Sequence, residues 1–360
     1  MWRFPRRLFW LCCALGRNKI SVSSTRNNWK RILPGLIISL AALAIVFSLI
    51  DLRKFGQAVQ QADLRFLAAG ILSEILWLIV RGFVWRTLLQ NKASYKDTFI
   101  AVNEGYLLNN ILPFRLGELG RAFLLGRKAH LDFWQVLPTI LIERLLDLAI
   151  AAGLLLSTLP FVIGVAWAKQ AAIVTGIAVL VGLVVIYIMA RNRQRVLAWV
   201  DRLGERWVAV KKLAGRRVSA FFDGLEILTD GKLFLRALLW EALNWMVSFL
   251  QYYLCMRAFF AAPHTLWVLF TLGVGAMGIA APSSPGAIGV FEAAIVFALL
   301  AFGQDASPAT AFALTVHFSA YIITGLIGGY GLYKDGESLS SLYTRLGKMK
   351  SEGEPPAQDG

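Results

Sequence analysis

Long apolar runs alternate with short polar segments along the 360 residues of this chain. A helix needs roughly 20 apolar residues to cross a hydrocarbon core. Residues 32–50, 66–89, 133–159, 171–190, 233–260 and 308–330 approach or exceed that length and predict six membrane-spanning helices. A polar connection, 51–65, separates the first two. Residues 191–232 are hydrophilic, yet Val196, Leu197, Val200, Leu203 and Trp207 recur at three- and four-residue steps. That spacing predicts an amphipathic interfacial helix.

Two regions are apolar but interrupted. Residues 98–112 contain Asn103, Glu104, Asn109 and Asn110 and stop at Pro113; the return limb, 117–126, contains Glu118 and Arg121. Basic residues flank this pair on both sides, which predicts a hairpin that enters the membrane and leaves on the same side. The second region, 265–281 with 286–302, flanks the breaker Ala281-Pro-Ser-Ser-Pro-Gly286. It predicts either a second re-entrant hairpin, dipping from the opposite side, or two full spans; both leave the termini in the same place. The expected fold is an all-α polytopic membrane protein of about six spans and two re-entrant hairpins.

The basic segments set the orientation. Residues 1–31, 90–97, 191–232 and the tail are assigned to the cytosol by the positive-inside rule, with 160–170 and 303–307 outside. Both termini are then cytosolic, in an inner (plasma) membrane. The expected layout is a basic arm, 1–31, a membrane unit, 32–331, and a polar tail, 332–360. The arm carries eight basic residues and no acidic one, which suits anionic headgroups. Its apolar stretch, 8–15, is too short to span and is read as part of the arm rather than as a signal peptide.

Composition narrows the classes. The chain is 57% hydrophobic and 16% charged, against about 25% charged for a soluble domain, so a water-soluble globule and a disordered chain are both excluded. The net charge of +15 sits between apolar runs, where lipid explains it better than nucleic acid. Cys12, Cys13 and Cys255 give no disulfide framework, and His130, His264 and His317 give no zinc spacing. No metal and no cofactor is expected. The Walker loop, the Gly-x-Ser-x-Gly elbow, His-Glu-x-x-His and Asp-x-Asp are absent from the sequence, and the chain is not expected to be an enzyme.

The two breakers share a pattern: Pro113, Gly117 and Gly120 match Pro282, Gly286 and Gly289, with Pro285 added in the second. Each lies inside a span–hairpin–span block, and the charge bias gives the two blocks opposite topology. Paired interrupted segments in inverted halves point to the substrate site of a transporter.

Ionisable groups at membrane depth are costly and therefore candidates for function. Arg115, Arg121 and Arg144 are suited to holding a phosphate headgroup. Glu118, Glu143, Asp147 and Glu292 are candidate gating or coupling carboxylates. A structural Arg–Glu network that stabilises the bend would use the same residues. Glu143 and Asp147 share a helix face with Arg144 between them, Glu292 has no basic neighbour in sequence, and His317 is read as a hydrogen-bonded core residue. Trp77 and Trp85 flank Arg81 at four-residue spacing, which suits cation–π packing. Arg236, Glu241 and Arg257 are placed near span ends, where they would reach the interface.

Three segments carry a family resemblance: Asn110-Ile-Leu-Pro-Phe-Arg-Leu-Gly-Glu-Leu-Gly-Arg121, Glu143-Arg-Leu-Leu-Asp147 and Pro285-Gly-Ala-Ile-Gly-Val-Phe-Glu292. In that order they resemble the lysylphosphatidylglycerol synthase transmembrane region family, or flippase-like domain family. The resemblance covers most of 30–333. It implies re-entrant helices and translocation of a lipid or lipid-linked group. In the multiple peptide resistance factor a similar domain moves lysyl-phosphatidylglycerol between leaflets, beside a fused synthase. The polar tail here leaves no room for a synthase, so aminoacyl transfer is not expected. The expected function is lipid transport through a polar cavity, with an anionic phospholipid or polyprenyl phosphate as partner and a homo-oligomer or separate lipid-modifying enzyme as company. The alternatives are an accessory protein or enzyme of polyprenyl-phosphate-linked glycan assembly and a proton-coupled small-solute carrier.

Overall fold

The computed structural model describes residues 25–112, 115–162, 166–206, 216–280, 284–339, 341, 342 and 345. Pro113, Pro282, Trp207, Cys12, Cys13 and most of the proposed arm and tail lie outside the described residues.

All regular structure among the described residues is helical. Helices α1 (Thr25–Leu49), α2 (Leu52–Gln60) and α3 (Leu64–Leu88) open the chain. Helices α4 (Tyr95–Ile111), α5 (Leu116–Ala129) and α6 (Phe133–Thr158) follow. Then come α7 (Ala166–Arg191), α8 (Arg193–Arg206) and α9 (Arg216–Leu225). Helices α10 (Gly231–Phe259), α11 (Thr265–Ala280), α12 (Val290–Leu300) and α13 (Ala306–Lys334) complete the membrane unit. By length and apolar composition α3, α10 and α13 are able to cross a membrane, and α1 and α7 join them where each continues into a bent partner. Helix α6 has 26 residues but carries Glu143, Arg144 and Asp147. The chain is thus an all-α polytopic membrane protein.

The connection 51–65 is not merely polar. Asp51 accepts from the backbone amides of Arg53 and Lys54 and so caps α2. This helix turns 86° from the last part of α1 and docks on the start of α13, where Asp51 and Ser307 exchange hydrogen bonds at 3.2 and 3.3 Å. Helix α8 likewise turns 87° from α7. The amphipathic stretch does not simply lie on lipid. Val196 and Leu197 are partly buried against the protein's own core, and Phe222 and Leu225 of α9 are fully inside it. Gly224 makes that docking possible, because a Cβ there would collide with the Gln135 carbonyl of α6.

The packing repeats itself. Helices α3 and α10 pack along their length, α4 packs on α13, and α6 packs on α11. Exchanging α3 for α10, α4 for α11, α5 for α12 and α6 for α13 leaves that list unchanged. The central pair is antiparallel: Gly70 meets Cys255, Glu74 meets Gln251, Arg81 meets Glu241 and Phe83 stacks on Trp240. Residue numbers rise on one helix as they fall on the other, so the axis relating the halves lies across both helices. That is the geometry of an inverted repeat. The caps repeat as well, with Asp63 and Asp230 starting α3 and α10, and Asp132 and Asp305 starting α6 and α13.

The breakers do not repeat in backbone conformation. In the first, Arg115 takes the left-handed conformation (φ 54°), while Gly117 and Gly120 sit inside α5. Gly117 is there because α5 touches α4; a Cβ would collide with the Gly105 carbonyl. In the second, Gly286 (φ 68°) and Gly289 (φ 87°) are left-handed themselves, as only glycine adopts readily. Pro285 opens a single 3-10 turn, Pro285–Ala287. The glycines of the shared pattern therefore serve a close helix crossing in one half and a tight turn in the other.

Candidate functional site

The polar centre lies where α3, α5, α6 and α10 meet. Glu143 is its hub. It is wholly buried, and its Oε1 accepts from Arg81 at 2.7 Å, from Arg121 at 2.9 Å and from the adjacent Arg144. Arg81 also reaches Asp147 at 2.5 Å and Glu241 at 3.3 Å. Arg144 lies 3.3 Å from Asp147. Four guanidinium groups (Arg81, Arg115, Arg121, Arg144) therefore face four carboxylates (Glu118, Glu143, Asp147, Glu241). Buried charges persist only when matched in this way.

Two sequence expectations are corrected here. Glu241 is not at an interface: it is 1% exposed and accepts from the Trp245 indole at 3.0 Å. Trp85 does not embrace Arg81. It stacks under Arg121 at 4.7 Å and donates to Thr139, while Trp77 alone keeps Arg81, at 5.9 Å. Arg81 and Glu241 were not picked out as site residues, because the contact that defines their role joins positions far apart in sequence.

The candidate phosphate-holding arginines differ sharply. Arg121 is 2% exposed and is held by Glu143 and Trp85. Arg144 borders a narrow cleft of about 10 Å³ between α4, α5 and α6, lined also by Gly105, Tyr106, Asn109, Glu118 and Arg121, and Arg115 is joined to it through Glu118. Glu118 stands between the two outer arginines, 3.8 Å from Arg115 and 3.6 Å from Arg144. Charge-assisted hydrogen bonds run at about 2.7–2.9 Å, so Glu118 balances both charges while bonding firmly to neither. The Arg144 Nε is buried without a hydrogen-bond partner. Arg115 also crosses to the second half, where its guanidinium donates to the Ile279 carbonyl near the end of α11. Glu104, from the same hairpin, is outside this set; Lys128 holds it at 2.8 Å.

The second breaker has its own polar pair. Glu292 is not an isolated carboxylate: its Oε1 lies 2.6 Å from His317 Nδ1, and its Oε2 accepts from the Gly289 amide at 2.6 Å. His317 Nε2 in turn lies 3.0 Å from the Gly286 carbonyl. The partner arrives from α13, 25 residues downstream, so no local pattern announces it.

Comparison with known proteins gives a consistent set. The family described as the lysylphosphatidylglycerol synthase TM region matches residues 32–328. A UPF0104 membrane protein of Methanocaldococcus jannaschii is 23% identical, over 81% of this chain and 91% of its own length. A second, from Methanothermobacter thermautotrophicus, is 23% identical over 85% of this chain and 95% of its own. Glycosyltransferase AglD of Haloferax volcanii is 23% identical over 83% of this chain but only 53% of its own length. No solved structure matches.

Proposed function

The chain belongs to the lysylphosphatidylglycerol synthase transmembrane region family, and on that premise we propose that it moves the phosphate-bearing headgroup of a membrane lipid between leaflets. Glu118 carries this reading. It occupies, as a loosely held counter-ion, the place between Arg115 and Arg144 that a phosphodiester would take. The phosphate oxygens would meet the unpaired Nε of Arg144 and the guanidinium of Arg115. Glu118 would then be displaced into the cleft. Arg121, Glu143, Asp147 and Arg81 would hold the floor of the site rigid beneath it.

The cleft is smaller than the ~300–1,000 Å³ usual for a ligand pocket. On this reading the cleft is in a closed state, and the hairpins would part to admit a headgroup while the acyl tails stay in the bilayer. The expected substrates are an anionic phospholipid or a polyprenyl phosphate. On this reading the protein sits in the plasma membrane with both termini toward the cytosol.

Leaflet exchange of a fluorescent anionic phospholipid in vesicles holding the purified protein tests this. The Arg115→Ala, Glu118→Ala double variant should lose most of the exchange. A rate equal to that of the unaltered protein would overturn the proposal. A second reading, an enzyme or accessory of lipid-linked glycan assembly, is favoured by the relative named glycosyltransferase AglD. It predicts a covalent product when the protein is incubated with polyprenyl phosphate and an activated sugar.

A further inference from the structure

The contacts at the second breaker impose a proton count. The Gly286 carbonyl only accepts hydrogen bonds, so the His317 Nε2 that faces it at 3.0 Å must carry hydrogen. On the other side of the ring, Nδ1 lies 2.6 Å from Glu292 Oε1. A neutral imidazole that keeps its hydrogen on Nε2 would turn a bare nitrogen lone pair toward an ionised carboxylate. That arrangement is repulsive, and the contact closes only when a further proton lies between the two atoms. Either the histidine is doubly protonated or the carboxyl is protonated. Both descriptions hold one more proton than the pair of neutral histidine and carboxylate.

This proton completes a chain of bonds that fixes the breaker at two points. The Gly289 amide donates to Glu292 Oε2, Glu292 Oε1 meets His317 Nδ1, and His317 Nε2 donates to the Gly286 carbonyl. Both glycines are left-handed in the turn, as is Ala287 between them. Tyr321 adds a hydroxyl to the same carbonyl, and the Phe291 ring packs on the imidazole at 4.5 Å. The pair is buried, with Glu292 2% and His317 7% exposed.

We infer that Glu292 and His317 form a proton-binding site, and that loss of the shared proton releases the second hairpin. The inference rests on the translocation reading for its consequence, namely that hairpin opening is coupled to proton release. Its geometry stands without that reading.

The surroundings leave the pair to set this behaviour. Glu292 is the only ionisable residue of α12. From α13 the facing groups are His317 itself and Tyr321. From α1, the backbone and side chain that approach Gly289 belong to Ser39 and Leu43, both uncharged. From α4, the Asn110 carbonyl approaches Gly286. Arg115 of the first hairpin is the cation that reaches this end of α11, and it is engaged by the Ile279 carbonyl. On α10, Tyr252 meets the ring of Phe312 rather than the pair.

Substitution separates the proton from the bonds it makes. In Glu292→Gln the carboxamide N–H donates to Nδ1 while its oxygen still accepts from Gly289, so the chain closes without the extra proton. In His317→Ala it cannot close. Ala287, buried beside Gly286, is replaced by cysteine in a Cys12→Ser, Cys13→Ser, Cys255→Ala background, and its labelling by a membrane-permeant maleimide is followed in vesicles. Rates are taken relative to cysteine at the exposed Ser157, which removes the reagent's own pH dependence.

The relative rate should rise about tenfold between about pH 6 and about pH 9 with the native pair. It should stay low at both for Glu292→Gln and high at both for His317→Ala. A flat profile with the native pair, or Glu292→Gln opening like His317→Ala, would overturn the inference. Hydrogen exchange over residues 284–292 of the unsubstituted protein, corrected for intrinsic rates, supplies the same profile without any variant. Neither readout involves lipid movement, so the latch and the translocation activity fail or succeed separately.

Discussion

Arg81 of α3 and Glu241 of α10 join the two halves at their shared axis, with Arg81 Nη1 3.3 Å from Glu241 Oε1. The same guanidinium grips Glu143 and Asp147 of α6. One side chain, 1% exposed, therefore ties the centre of the repeat to the wall of the cleft.

Replacing Arg81 by methionine should destabilise the protein by about 3–5 kcal/mol, because it strands buried carboxylates rather than merely removing a contact. Glu143 keeps Arg121 and Arg144, and Asp147 keeps Arg144, but Glu241 loses its cation. Adding Glu241→Gln to Arg81→Met should recover part of the loss. Thermal unfolding in detergent checks both steps; a double variant no better than the single would contradict the assigned pairing.

Both breakers should be damaged by a single methyl group, for different reasons. Gly117→Ala drives a Cβ into the Gly105 carbonyl, and Gly289→Ala adds left-handed strain to a collision with Ser39. Each should cost about 1–3 kcal/mol. Gly153→Ala in α6 meets nothing within 4 Å and should be neutral or stabilising, since alanine favours a helix over glycine. Melting temperatures of the three variants provide the comparison.

Much of this architecture was legible in the chain. Each span must supply its own apolar residues, so hydropathy located α3, α6, α10 and α13 to within about four positions, while α1 and α7 begin seven and five residues earlier than predicted. The left-handed turn before α12 falls on Gly286 and Gly289, which the sequence singles out, whereas Gly117 lies inside α5. Pairing was the hidden part. Arg81 with Glu241 and Glu292 with His317 are tertiary contacts, which local periodicity does not encode. Helix α2 was missed although Asp51 and the spacing of Leu52, Phe55 and Val59 were in view. Nine residues, four of them charged or amide-bearing, read more readily as a connection.

The docking of α2 on α13 carries a pH window. Lys54 donates to Asp305 at 2.8 Å. That hydrogen bond holds the Asp305 carboxyl below the ordinary aspartate value and, from the same contact, raises the Lys54 ammonium above the ordinary lysine value. For the depressed carboxyl, the stabilisation is present above its unfolded pKa and fades as pH falls through the folded one. For the raised ammonium, it is present below its unfolded pKa and fades as pH rises through the folded one. The contact should therefore hold between about pH 4 and about pH 10. Both groups are well exposed, so the effect is small and salt-sensitive. Intrinsic-rate-corrected exchange of residues 52–60 should stay constant across that window and rise below it, and Lys54→Met should remove the difference.

Glu118 offers the sharpest test of how the cleft works. If its carboxylate is a counter-ion that yields to phosphate, neutralising it has two opposed effects. Glu118→Gln leaves Arg115 and Arg144 without their exchangeable partner, so an anionic headgroup binds more tightly. It also removes the group that takes back the arginines when the headgroup departs, so release slows. Tighter binding of the bound state alone does not speed passage over the barrier. Retention of anionic phospholipid on the purified variant, read by native mass spectrometry, should rise, while leaflet exchange should fall by about tenfold, equivalent to about 1.4 kcal/mol. Arg144→Lys should lower both, because a lysine ammonium keeps the charge but lacks the planar fork. If Glu118 were instead a structural strut for the bend, Glu118→Gln would lower retention and exchange together, along with the melting temperature. The sign of the retention change distinguishes the two roles.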